Sequence, residues 1–214
     1  MDNLEAITER IRASFDARTK ARDQALAQAR QLTRHASHAI RAIHRSETDL
    51  AHEHLDEARN LASILRTSLT EYPDLFYAGY TQDAIKEFVE ASVTCALIES
   101  QPLPEPEDLE VEFATYLNGL AEVTGELRRR CMDILRQGYS DEAERLLNCM
   151  DDIYGELVTL DYPDAITNGL RRQTDLVRGI VERTRGDMTI SLREQHLEKA
   201  MARLAAQLPD LGKK

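Results

Sequence analysis

The sequence predicts an all-α protein, and three observations carry that expectation. Punctuation is sparse, because the 214 residues hold only nine glycines and six prolines, so turns are few and long stretches run without a break. Those stretches are rich in Ala, Leu, Glu, Arg and Gln, the strong helix formers, while aromatics make up 5% and Trp is absent. Apolar residues recur at three- and four-residue spacing, the period of an amphipathic helix. With 42% hydrophobic residues the chain has enough apolar side chains for a core. The expected architecture is a single domain of about seven helices over residues 1–208, with residues 209–214 a mobile tail.

The first helix is expected from about Leu4 to Arg45, with Leu4, Ile7, Ile11, Phe15, Ala25, Ala29 and Leu32 tracing much of one stripe. A second runs from about Asp49 to Leu69 and ends at Glu71-Tyr72-Pro73. A third covers about Gln82 to Ile98. The stretch QPLPEP, residues 101–106, cannot be helical and reads as a linker. A fourth helix follows from about Asp108 to Arg136 and stops at Gly138, which suits a left-handed cap. Ser140 caps a fifth, with Glu142 and Glu144 in its first turn and its end near Leu160. Pro163 opens a short turn up to Gly169. A helix from Leu170 to Arg185 is expected to break at Gly186, and a last one runs from about Met188 to Leu208. Helices this long on so small a chain leave apolar stripes that one copy covers poorly, so self-association is expected.

Several function classes drop out at this point. No apolar run is long enough to span a bilayer, and the start MDNLEAITERIR lacks the basic and apolar blocks of a secretory signal, so a cytoplasmic protein is expected. Cys95, Cys131 and Cys149 are isolated in apolar helical patterns and read as buried thiols rather than zinc ligands or disulfides. The six histidines include one i, i+3 pair, His35 with His38, but no acid or Cys completes a metal site around it, and they read as surface residues. No phosphate-binding glycine loop or nucleophile elbow is present.

The net charge of −11 argues against a phosphate-binding surface as a whole. The charge is unevenly spread, however, since residues 46–127 hold 18 acids against 3 bases, while residues 1–45 are net basic. The densest basic clusters are Arg128 to Arg130 and Arg171-Arg172, which read either as solvated runs or as phosphate contacts.

Two acid pairs stand out. In AIKEFVEASVTCALI, residues 84–98, Glu87 and Glu90 sit in mostly apolar company, where carboxylates repel each other and suffer desolvation unless an Arg or a cation compensates them. In GLAEVTGELRRR, residues 119–130, Glu122 and Glu126 lie one helical turn apart on a common face. Gly119 and Gly125 are costly inside a helix and suggest close approach of another element or of a ligand. Each pair reads either as a solvated, Arg-paired face or as part of an oxygen-rich pocket suited to Mg2+ or Mn2+. Such an ion would support hydrolysis of a phosphodiester.

The stretches KEFVEA (86–91), YLNGLAEVTGELRRRC (116–131) and LRRQTDLVRGIVE (170–182) resemble the translin family, and within it the translin-associated factor X (Trax-like) branch. The likeness extends from about Ala13 to Arg193. It implies an all-helical subunit that assembles into a hollow homo-oligomer, an octamer, holding single-stranded RNA or single-stranded DNA, with a Mg2+-dependent endoribonuclease activity in the X branch. Motifs of the kind QEYVEA and GVADLTGEL carry that branch's acids, which fall on Glu87, Glu90, Glu122 and Glu126. This sequence departs from the pattern at Glu122, where the branch has Asp. The four glutamates are the expected metal ligands and catalytic residues, and Arg128, Arg129, Arg171 and Arg172 the expected nucleic-acid contacts. The alternative is a translin-like RNA- or DNA-binding protein without catalysis.

Overall fold

The computed structural model describes residues 3–207, which fold into nine α-helices with no strand among the described residues. These are α1 (Leu4–His44), α2 (Thr48–Ser68), α3 (Pro73–Phe76), α4 (Gly79–Ile98), α5 (Pro106–Leu109), α6 (Phe113–Leu135), α7 (Asp141–Leu157), α8 (Asp164–Thr167) and α9 (Leu170–Gln207). The all-α expectation holds, and three of the nine helices are single turns of four residues. The expected tail at 209–214 lies outside the described residues. Two compact units are distinguished: Met1–Leu120 with Ala165–Asn168, and Ala121–Asp164 with Gly169–Lys214.

In the first unit α1 packs along α2 and α4, and α2 also touches α4. The seam of α1 alternates alanines with larger aliphatics: Ala25, Ala29, Leu32, Ala36, Ala39, Ile40 and Ile43 are buried, along one helical face. Alanine lets the backbones approach closely, and the gaps are filled by Leu55 of α2 and Ala91 and Cys95 of α4. The stripe buries only its second half, because Leu4, Ile11 and Phe15 remain 54%, 46% and 64% exposed. The reason is length. At about 1.5 Å per residue the 41 residues of α1 outrun the 21 of α2 and the 20 of α4.

The α1–α2 hairpin also gathers histidines that the sequence reading left on the surface. His35 and His38 of α1 meet His54 of α2, with His35 Nδ1 3.2 Å from His54 Nδ1 and the His38 and His54 rings packed edge to face. All three are half-buried. Desolvation, followed by the neighbouring His54, lowers the pKa of His38, and desolvation followed by His35 lowers that of His54.

In the second unit α7 packs on α9. Ala143, Leu146, Leu147, Met150, Ile153 and Leu157 line the buried face of α7, and Leu170, Thr174, Val177, Val181, Thr184 and Met188 line that of α9, both at helical period. Ser140 caps α7 by accepting a hydrogen bond from the Ala143 N–H. Gly138 ends the preceding segment at φ +113°, the left-handed conformation expected of it.

The structure corrects four boundaries. Helix α4 begins at Gly79, three residues early; α5 is separate from α6, which starts at Phe113; α3 was not expected; and Gly186 does not break α9, which runs on to Gln207. A single helical glycine costs only about 1 kcal/mol against Ala, too little to interrupt a helix of 38 residues held on both sides of it by Thr184 and Met188. No helix among the described residues is long and apolar enough to cross a membrane.

Candidate functional site

Glu87 and Glu90 lie on α4, within the first unit. Both are half-buried, and the residues between and beside them, Phe88, Val89 and Ala91, are fully buried. Helix α4 is therefore an inside helix whose sparse charges are concentrated on one side. Its neighbour in this unit is the start of α6, where Gly119 meets the α4 backbone at Lys86 and the side chain of Val89. Close approach, one of the two reasons offered for a glycine at this position, is thus the reason found at Gly119. It is not the reason at Gly125, where an added Cβ would meet nothing within 4 Å.

Glu122 and Glu126 lie further along α6, in the second unit. Both are half-buried, while Ala121, Val123 and Leu127 next to them in the chain are buried. Glu122 accepts a hydrogen bond from Gln173 Nε2 of α9 at 3.4 Å. Glu126 pairs with Arg129 at 3.5 Å, the i, i+3 arrangement of the Arg-paired face that was the alternative to a metal pocket. Gln173 was not foreseen as a partner, although it stands inside the quoted LRRQTDL stretch. Its separation of 51 residues from Glu122 hid the contact.

Chemically the four residues present only carboxylate oxygens. That donor set fits a hard, oxygen-seeking ion such as Mg2+ or Mn2+ and not zinc, which prefers nitrogen and sulfur. Partial burial suits such a role, since a carboxylate withdrawn from water gains most from a nearby cation.

The four arginines divide into two kinds. Arg128 is held in the second unit, donating to Thr184 Oγ1 at 3.1 Å and pairing with Asp187 at 2.8 Å with its side chain only 27% exposed. Arg129, Arg171 and Arg172 are exposed. Arg171 makes a solvated pair with Asp161 at 3.0 Å, of a kind worth at most about 1 kcal/mol and readily exchanged for a phosphate. Arg172 makes no ion pair among the described residues.

Helix order, the run of α6 through GLAEVTGELRRR and the acid pairs on α4 and α6 define a translin-type helical subunit. The translin family model matches residues 7–184, and the chain belongs to the translin family. An uncharacterised protein of Methanocaldococcus jannaschii is 31% identical over 186 residues, covering 86% of this chain and 82% of that protein. Among solved structures, AfC3PO in complex with duplex RNA superposes with a TM-score of 0.80 at 33% identity, covering 87% of this chain and 97% of that one. A crystal structure of AfC3PO alone gives 0.81 at 32% identity, with the same coverage. The apo form of NeC3PO, at 20% identity, shares the fold, with a TM-score of 0.79 over 86% of this chain and 96% of its own.

Proposed function

We propose that the protein is a Mg2+-dependent endoribonuclease of the Trax-like kind, acting on single-stranded RNA within a homo-oligomer, an octamer by the family pattern. The observation that carries the reading is a set of half-buried carboxylates on apolar helices, Glu87 and Glu90 on α4 and Glu122 on α6. These residues and Glu126 would hold the ion, directly or through water. When bound, such an ion polarises the phosphodiester and makes its water acidic enough to attack at neutral pH.

The chain's own contribution is placement and charge. Val89 and Gly119 lock the start of α6 against α4. Gln173 holds the Glu122 carboxylate by a hydrogen bond, so the longer side chain at a position where the branch has Asp is still oriented. Arg129, Arg171 and Arg172 supply exposed guanidinium groups for phosphates, and Arg128, anchored by Asp187, contributes positive charge from a fixed position. RNA as the ligand is supported by the duplex RNA bound to AfC3PO; the local surplus of arginine, not the net charge of −11, sets phosphate affinity.

A second reading is a binding protein without catalysis, and the Glu126–Arg129 and Glu122–Gln173 contacts favour it, since both acids have structural employment. One experiment separates the two. Purified protein is incubated with end-labelled single-stranded and duplex RNA, with Mg2+, with Mn2+, and with a chelator. Cleavage that needs the metal establishes the nuclease. Retention of RNA without cleavage under every condition establishes the binding protein.

A further inference from the structure

Arg171 has no aromatic neighbour in its stretch of sequence, yet the fold of the second unit brings one to it. Its guanidinium pairs with Asp161 at 3.0 Å, and the next residue in the chain is Tyr162. Both Arg171 and Tyr162 line a surface cleft of about 300 Å3 between the segment that follows α7 and the start of α9, a volume at the lower end of the range for small-molecule sites. Leu157, buried, and Leu160, half-buried, give the cleft an apolar wall. Tyr162 itself is 60% exposed and Val158 beside it 54%, and among the described residues no ring or guanidinium covers either face of the tyrosine. Pro163 follows Tyr162 and restricts its backbone, so less freedom is lost when something packs on the ring.

We propose that this cleft takes one unpaired base of a bound RNA, stacked on Tyr162, with Arg171 on the adjoining phosphate. An uncovered ring beside an exposed guanidinium is the combination that holds single strands, the ring taking the base and the cation the backbone. The Arg171–Asp161 pair has side chains 78% and 80% exposed, so water already screens it and a phosphate displaces it at little cost. Asp161 and Asp175, which also line the cleft, set what else fits there: carboxylates repel a second phosphate, and as acceptors they suit the N–H groups on the edge of a base. A base within a duplex has both faces covered by its neighbours, so the site favours single strands over paired RNA. It reads no sequence by stacking alone, because every base has a π-face. The inference rests on RNA as the ligand, which the nuclease and the binding-protein readings share, and is indifferent to cleavage.

The test is equilibrium binding of the full-length protein to a single-stranded RNA and to a blunt duplex of the same length, across a salt series, with a chelator present so that no strand is cut. Tyr162→Ala is expected to weaken single-strand binding about tenfold and to leave duplex binding and the salt slope unchanged, since a base contact is lost and no phosphate contact. Tyr162→Phe keeps the ring and is expected to stay within about twofold of the parent. No loss in Tyr162→Ala, an equal loss on the duplex, or an equal loss in Tyr162→Phe overturns the stacking site while leaving the RNA reading in place. A parent protein that retains neither RNA overturns that reading and this site with it. Smaller species of Tyr162→Ala in light scattering would put the ring at a contact between copies and refute the site. If Tyr162→Ala loses helicity by circular dichroism, photo-crosslinking of the parent to iodouridine-substituted RNA decides: a crosslink mapped to Tyr162 supports the site, and crosslinks only at other residues refute it.

Discussion

Gly119 of α6 sits against Val89 of α4 so tightly that a Cβ at position 119 would lie 2.8 Å from both Val89 Cβ and Cγ1, and 3.0 Å from the Lys86 carbonyl oxygen. Neither obstacle can move, since Val89 is β-branched and fully buried and the other atom belongs to helical backbone. Gly119→Ala is therefore expected to destabilise by about 1–3 kcal/mol, the usual cost of overpacking, despite the better helix propensity of Ala. Gly186→Ala is the counter-case. Nothing lies within 4 Å of its added Cβ, and the gain should be about 0.5–1 kcal/mol. Urea unfolding of both variants checks the pair of signs, and a stabilised Gly119→Ala would contradict the close approach.

These two glycines also show how far the sequence could be read. The long helices were legible because α1, α2, α7 and α9 keep an unbroken helical period, and the reading of Gly119 rested on a local cost that only a neighbour could explain. Gly186 has the same local cost with no neighbour, so a break was the natural expectation, and packing at Thr184 and Met188 overrode it. Helix α3, of four residues, is too short to show a period. The acid pairs were visible as spacing, whereas the joining of His54 to His35 and His38 was not, because 19 residues separate His35 from His54 and only the hairpin fold brings them together.

Glu→Gln at 87, 90, 122 or 126 keeps volume and removes one negative charge. Each variant is expected to retain its fold and RNA binding while RNA cleavage in Mg2+ falls on the order of a hundredfold or more. Single-turnover cleavage with a filter-binding control measures both quantities. Four variants that cut as fast as the parent would make the acids structural.

The arginines should separate by what holds them. Arg128→Ala breaks the half-buried pair with Asp187 and is expected to lower stability by about 1 kcal/mol, the usual net worth of one intramolecular hydrogen bond. Arg171→Ala with Arg172→Ala touches only exposed side chains, so stability should stay level while RNA affinity drops and its dependence on salt flattens, by up to two phosphate contacts in slope. Binding measured across a salt series, beside a thermal melt, resolves the two effects. An unchanged slope for the double variant would move the RNA surface elsewhere.

Thiol reactivity should follow burial. Burial pushes the Cys95 and Cys131 thiols up to about 12, so neither forms appreciable thiolate at pH 8, and both are closed to reagent. Cys149 is only half-buried, and although its own burial also raises its pKa, Arg145 beside it pulls the other way. With a thiol-specific dye at pH 8 the folded protein is expected to label at Cys149 first, with Cys95 and Cys131 reacting only after unfolding. Peptide mapping of the label reads the order, and early labelling of Cys131 would mean that its contact with the Ala143 carbonyl oxygen of α7 opens readily.

Self-association is expected to depend on apolar residues that stay exposed among the described residues. On α9 these are Ile190, Leu197, Met201 and Leu204, each 58% exposed or more, spaced by seven, four and three residues so that they form one stripe of the coiled-coil kind. On α1 they are Leu4, Ile11 and Phe15, beyond the reach of α2 and α4. Burying such side chains is worth roughly 1.5–3 kcal/mol each, and a helix that leaves four of them in water gains by pairing with another copy. Leu197→Glu together with Met201→Glu should therefore shift the protein toward smaller species in light scattering, with helicity by circular dichroism preserved, because the substitutions touch only an exposed face. A parent protein that is a stable 24.3 kDa monomer at micromolar concentration would rule out assembly through these stripes, and an unchanged oligomer in the double variant would place the interface on some other surface.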